Sequence, residues 1–238
     1  MCCPRRFGSL AFVAGAVALQ IPSPAVAAPS AGPFVDRLHA VRSDIRSLEC
    51  VEETHWRDER PGQTPVEHRR IERVSFRSDI SKVRREALDE HGSPLPIAAP
   101  GSSRTATGYA VARVQRHPSP VWLFELAETL ARAGTAWRRE GGLSVAALHF
   151  GGRTSVRDPP SAEVAFNADR LPIRLVTFGA SHDILDEVHL TWGRQRGGWF
   201  PSKIETTYHS VENTLHKTVT YRDTRINPVL SATLFRTP

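Results

Sequence analysis

The chain has little cysteine. Three of its 238 residues are cysteines, and two of them, Cys2 and Cys3, lie at the very start. If that leader is removed, only Cys50 remains, and one cysteine cannot form an intramolecular disulfide. A chain of this length can bury roughly 70% of its unfolded surface. A packed core, and not cross-links, must therefore hold the fold together.

Long apolar runs are also absent. The run from Leu10 to Ile21 is far shorter than the roughly 20 residues needed to cross a bilayer. It follows Arg5 and Arg6 and ends before Ala25-Val26-Ala27, which is the pattern of a secretory signal peptide. We expect residues 1–27 to be a cleaved signal peptide and residues 28–238 to be one secreted domain.

The charge balance has no strong excess of either sign. The formal net charge of +6 falls to +4 without Arg5 and Arg6. This mild basic excess favours anionic membrane surfaces or acidic partners, or serves only solubility. Nucleic acid is not expected as a partner, because the protein is predicted to be secreted.

Sequence signatures of catalysis are missing as well. Gly-x-Ser-x-Gly, His-Glu-x-x-His and the phosphate-binding glycine motifs do not occur. None of the ten histidines has a recognised ligand spacing. We expect a non-enzymatic protein with no cofactor and no metal site. The arginine-rich span 68–85 interleaves arginines with acids and predicts cross-strand ion pairs on a solvated face.

Two helices are predicted. In residues 34–49 the apolar positions form one amphipathic stripe, made of Phe34, Leu38, Val41, Ile45 and Leu48. The second helix covers residues 121–134, VWLFELAETLARAG, and its apolar residues nearly encircle it. Such a helix needs cover on more than one side.

The remainder predicts ten or eleven short strands. Period-two runs begin at Cys50 and recur between Gly-Gly and Pro-Pro turns, which is typical of an antiparallel sheet. Strands 172–178 and 184–192 carry apolar residues on both faces, so the sheet is covered outside or filled inside. The fold class is α+β, mostly antiparallel β.

Three segments late in the chain follow a recognisable order: VAFNADRLPIRLVTFG, then WFPSKIETTY, then TVTYRDTRINP with LSATLFRTP. With the N-terminal helix and hairpin, this order resembles the LolA-like family of periplasmic outer-membrane lipoprotein carriers and lipoprotein-sorting proteins. The resemblance implies a curved, unclosed antiparallel half-barrel, with helices across its concave face and a hydrophobic cavity for acyl chains. It also implies a periplasmic location and a part in outer membrane biogenesis.

The apolar cluster at the end of the chain fits this picture. The last strand stops at Asn227-Pro228, before Leu230, Leu234 and Phe235. Proline cannot extend a strand ladder. We expect the cluster to fold back over one mouth or edge of the barrel and to block strand-to-strand aggregation there.

The predicted function is that of a monomeric carrier for an acylated or hydrophobic ligand, lipid or lipoprotein, exchanging it with a membrane donor or acceptor. Its proposed cavity lining consists of Phe76, Leu123, Phe124, Leu130, Phe150, Phe166, Phe178, Leu190 and Trp192. A second hypothesis is an envelope-stress sensor or protein-interaction module of the same fold. Arg77, Arg84 and Arg85 are the candidate docking residues for that role, and Arg77 and Arg84 are also candidate lid residues.

Overall fold

The structure is a computed structural model that describes residues 30–95, 112–116, 126–149, 160–195 and 198–236. The predicted signal peptide lies outside these residues, and the single domain over 28–238 stays a prediction. No helix in the described ranges has both the length and the apolar character needed to cross a membrane.

Eleven strands and two α-helices make up the described fold. The helices are α1 (Gly32–Asp44) and α2 (Leu126–Arg132), and a 3-10 helix spans Ala232–Phe235. The strands are β1 (Ser47–Glu59), β2 (Val66–Arg77), β3 (Lys82–Leu88), β4 (Ala112–Arg116), β5 (Gly134–Glu140), β6 (Leu143–His149), β7 (Ala162–Phe166), β8 (Pro172–Phe178), β9 (Ile184–Gln195), β10 (Gly198–His209) and β11 (Thr214–Ile226).

All eleven strands form one antiparallel sheet in the order β4-β3-β2-β1-β11-β10-β9-β8-β7-β6-β5. The chain thus folds as two meanders, β1 to β4 and β5 to β11, joined where β1 pairs with β11. Strands β4 and β5 are the two ends of this order and pair only inward in the described residues. The predicted unclosed antiparallel sheet is confirmed.

Helix α1 shows that the sheet is curved. Thirteen residues make a helix roughly 20 Å long. Near its start, Phe34 lies 4.7 Å, centroid to centroid, from Phe166 of β7, and just past its end Ile45 lines a groove with Phe76 of β2. In a flat sheet β2 and β7 would be six strand spacings apart, about 29 Å. The sheet must wrap around the helix to reach both of its ends.

The first predicted helix ends earlier than its apolar stripe. Phe34, Leu38 and Val41 are buried on α1 as predicted, but the helix stops at Asp44 and Leu48 already belongs to β1. The reason is tertiary. The side chain of Asn227 accepts hydrogen bonds from the backbone N–H groups of Arg46 (2.8 Å) and Ser47 (3.2 Å). These bonds, which the helix cannot supply, turn the chain into β1.

The outer face of β5 to β9 also buries apolar side chains. Arg138 Nη1 lies 2.7 Å from Glu163 Oε1, and Arg174 Nε lies 2.7 Å from Glu187 Oε1. Because long charged side chains can cover apolar surface with their stems, this ladder shields three buried residues: Val145, Ala165 and Val176. The apolar residues on the outer face of these strands are therefore covered by ion-paired side chains, and those on the inner face pack in the core.

The C-terminal segment packs on the outer face of β2 and β3. Phe235 is 1% exposed and lies outside the core cluster of the concave face. Arg77, Lys82 and Arg84, whose side chains alternate with the inward-facing Phe76 and Val83, donate hydrogen bonds to carbonyls of this segment. The expected cover over a mouth or edge is thus wrong, because β11 lies mid-sheet and leaves no edge to cover.

We expect Asn227→Ala to destabilise the protein by about 2 kcal/mol, since several hydrogen bonds of about 1 kcal/mol each are lost. These include the bond from Asn227 Nδ2 to Asp44 O (2.8 Å). Urea unfolding measures the change. Asn227 has φ of +59°, so Asn227→Gly, which tolerates this conformation, should lose less than Asn227→Ala. Equal stability of all three proteins would contradict the assigned role.

Candidate functional site

The concave face of the sheet and the two helices enclose one apolar core. Phe34 of α1 stacks on Trp137 of β5 at a centroid distance of 4.5 Å, and both rings contact Phe166. Helix α2 adds its buried residues Leu126, Ala127 and Leu130. Its other described residues include exposed Glu128, Ala131 and Arg132. The described part of α2 is therefore amphipathic, with one face on the core.

The structure gathers five of the nine predicted lining residues at this core. Phe76, Leu130, Phe166 and Leu190 are buried in the cluster, and Trp192 packs against it. Trp192 Nε1 also donates to Pro172 O at 2.6 Å. The other four are one residue outside the core cluster and three that the structure does not describe. Phe178 is separate from the cluster and stacks on His182 at 4.6 Å, while Leu123, Phe124 and Phe150 lie outside the described residues. Contact of any of the nine with a ligand stays a prediction.

A groove leads from the surface to this core beside the end of α1. It has a volume of about 550 Å³ and runs between the last turns of α1 and the turn that joins β2 to β3. Ile45 and Phe76, which are 2% and 1% exposed, form its apolar floor. The remaining lining residues are His39, Ala40, Arg42, Ser43, Ser78 and Ser81. Sequence reasoning identified only Phe76 here, because the polar wall residues carry no pattern of their own.

Farther along the same concave face the lining becomes ionic. Arg85 Nη1 lies 2.8 Å from Glu52 Oε1 and 3.1 Å from Glu72 Oε2. Glu52 and Glu72 are 6% and 5% exposed, and Tyr221 hydrogen-bonds to Glu52. The expected solvated arginine–glutamate face is therefore wrong for this group, and Arg85, one of the predicted docking residues, is largely buried between two carboxylates. A charge alternation in the sequence does not reveal whether a strand face is turned inward or outward.

Electrostatics follow from this burial. Desolvation opposes the charge on Arg85, but Glu52 and Glu72 outweigh it and raise the pKa of its guanidinium. Burial, followed by the charge of Glu52, raises the pKa of both the Tyr221 hydroxyl and the Cys50 thiol. Cys50 is thus a neutral, buried and unreactive side chain on this face.

Arg77 and Arg84, the predicted lid or docking residues, are engaged within the chain. Arg77 Nη1 donates to Leu230 O at 3.1 Å, and Arg84 Nη1 donates to Leu234 O at 3.0 Å. Their second partners are Asp79 and Glu86. Both guanidinium groups therefore hold the C-terminal segment in place. Whether they also bind a partner stays a prediction.

The described residues, 30–95, 112–116, 126–149, 160–195 and 198–236, contain no candidate metal site. Among those residues, no three or more His, Cys, Asp and Glu side chains are grouped so that they could hold an ion.

One solved structure of similar fold has a TM-score that reaches 0.5. A LolA superfamily protein from Nitrosomonas europaea has a TM-score of 0.50 and 11% identity, covering 88% of this chain and 99% of that one. The chain has the LolA-superfamily fold. No protein-family model and no curated protein matches the sequence.

Two further structures are less similar. A domain described as an outer membrane lipoprotein-sorting protein from Vibrio parahaemolyticus has a TM-score of 0.47 and 9% identity, covering 87% of this chain and 97% of that one. A DUF1329 family protein from Desulfovibrio piger has a TM-score of 0.44 and 10% identity, with the same coverage of 87% and 97%. Neither similarity identifies a cargo for this chain.

The ionic group on the concave face yields a test of its role. Arg85→Met should cost about 3–5 kcal/mol of unfolding free energy, because it leaves buried Glu52 without a counter-charge and leaves Glu72 with the longer contact to Arg70, 3.4 Å away. Chemical denaturation measures the loss. The triple variant Arg85→Met, Glu52→Gln, Glu72→Gln removes the charges together and should recover a large part of it. A triple variant that is less stable than Arg85→Met would contradict this account.

Proposed function

We propose that this protein is a periplasmic, non-enzymatic carrier or binding protein for an acylated or otherwise hydrophobic ligand. The observation that carries the proposal is the groove beside α1, whose floor is made of the core residues Ile45 and Phe76. An acyl chain that enters this groove meets the apolar interior of the half-barrel directly.

The energetics support such a role without polar chemistry. Each methylene moved from water into an apolar site contributes roughly 0.8 kcal/mol. The groove volume of about 550 Å³ falls within the range of roughly 300–1,000 Å³ that is usual for small-molecule sites. Burying about ten methylenes of one alkyl chain would contribute roughly 8 kcal/mol, which corresponds to micromolar affinity before the entropic cost of association is subtracted.

Transport requires the walls of the groove to separate. One wall is α1, which contacts the sheet through side chains, and the other is the β2–β3 turn, which belongs to the sheet. The chain takes up its ligand when α1 moves away from this turn, and delivers it to a membrane or to an acceptor protein. In this proposal the protein acts as a monomer.

The proposal is tested by filling the groove. Ala40 is exposed and lines it, so Ala40→Trp should block entry without altering the core. We expect a fluorescent fatty-acid probe to bind Ala40→Trp about tenfold more weakly, the effect of losing about two buried methylenes. Ala131→Trp, at an exposed alanine of α2 outside the groove, is the matched control and should bind as the unaltered protein does.

Native ligands are sought in parallel by lipid mass spectrometry of protein purified from its own cell envelope. A protein that carries no lipid and ignores the acyl probe would refute the proposed function. Equal weakening by Ala40→Trp and Ala131→Trp would place the ligand elsewhere.

A further inference from the structure

The described wall of the groove beside α1 contains basic and hydroxyl side chains but no acidic ones. Two of its side chains, Arg42 and His39, can carry positive charge, and three others are serines. None of the described residues that line this groove is an aspartate or glutamate. In a protein with 25 acidic residues, a cleft whose described lining contains a guanidinium and no carboxylate is complementary to an anion.

The serine hydroxyls are already oriented by the main chain. Ser43 Oγ donates to Ala40 O at 2.9 Å, and Ser78 Oγ donates to Arg46 O at 2.9 Å. A hydroxyl group has one proton but two lone pairs. Both oxygens are therefore left as hydrogen-bond acceptors and suit a ligand that brings O–H groups of its own.

The end of a helix normally repels anions, because its last carbonyls are partly negative. Here three of the last five carbonyls of α1 have donors outside the regular helix bonds. Besides Ala40 O, Arg42 O accepts from Ile45 N (3.2 Å) and Asp44 O accepts from Asn227 Nδ2 (2.8 Å). These bonds reduce the exposed negative charge at this end of the groove.

Arg42 supplies the guanidinium of this wall. Its Nη1 lies 3.9 Å from Glu128 Oε1, while Glu128 Oε2 receives a shorter contact, 3.1 Å, from Arg132 Nη2. A guanidinium can hold a phosphate through two parallel hydrogen bonds, and Arg132 keeps Glu128 paired when Arg42 binds a ligand.

We propose that this groove binds the head of a single-chain anionic amphiphile whose phosphate carries a polyhydroxyl group, as in lysophosphatidylglycerol. The phosphate lies beside Arg42 and His39, the glycerol hydroxyls donate to Ser43 Oγ and Ser78 Oγ, and the alkyl chain continues over the groove floor into the core. This inference rests on the proposed function, to which it adds the chemical class of the ligand.

The inference is tested by displacing a bound neutral alkyl probe with three competitors. These are lysophosphatidylglycerol, a monoacylglycerol of the same chain length, and glycerol 3-phosphate. Both lipids are kept below their micellar concentrations. We expect lysophosphatidylglycerol to compete about tenfold better than the monoacylglycerol, the effect of one charge-assisted contact. Glycerol 3-phosphate should not compete.

Arg42→Gln should remove this preference, so that lysophosphatidylglycerol and the monoacylglycerol then compete equally well. Arg46→Gln makes the same charge change two residues past the end of α1, at a residue that does not line the groove, and should keep the preference. Thermal unfolding of both variants confirms that they are folded.

The outcomes separate the two proposals. If the protein binds both lipids equally, or if Arg42→Gln weakens both equally, the head-group inference fails and the proposed carrier function stands. If glycerol 3-phosphate competes as well as the lipid, the site takes a free phosphate ester and the lipid assignment is overturned. If neither lipid displaces the probe because the probe itself does not bind, the proposed function fails as well.

Discussion

The pairing of the first strand with the last is the constraint on which the fold depends. β1 and β11 pair from Glu59↔Thr214 to Leu48↔Ile226, and this ladder alone joins the two meanders into one sheet. It closes a loop of some 160 residues, whose entropic cost must be met before the distant contacts form. Without it, each meander would expose an apolar face and an unpaired edge strand.

The same ladder decides where α1 lies. β1 follows α1 after two residues, so fixing β1 in mid-sheet places the helix across the concave face. Asn227, the residue that follows β11, completes the junction through its bonds to Asp44, Arg46 and Ser47. The groove beside the end of α1 is therefore a product of the chain's two ends meeting. Its geometry depends on residues about 180 positions apart.

The concave face divides into two chemical regions. Near α1 it is apolar and contains Phe76 and Leu48, and farther along the same strands it contains the buried Glu52–Arg85–Glu72 group. Burying such a group is costly unless every member is paired. We interpret it as a polar limit to the apolar interior on the β1–β3 side, beyond which an alkyl chain would gain nothing from going deeper.

Much of the architecture follows from the sequence alone. Runs of period two determine the strands. Gly141 and Gly142 both have positive φ and determine a tight hairpin, because tight hairpin turns require conformations that glycine adopts readily. The stripe of Phe34, Leu38 and Val41 determines a helix face. The resemblance of the chain's later segments to a known family supplied the curved, open sheet, which periodicity cannot distinguish from a closed barrel.

Only the tertiary structure decided the rest. The end of α1 at Asp44, the inward burial of Arg85 and the seat of Phe235 on the outer face all depend on partners from distant parts of the chain. The polar wall of the groove arises in the same way, since Ser43 and Ser78 come together across a helix end and a hairpin turn. The sequence of a segment shows how its polar and apolar residues alternate. Which of its two faces is buried is determined by the strands and helices that pack against it.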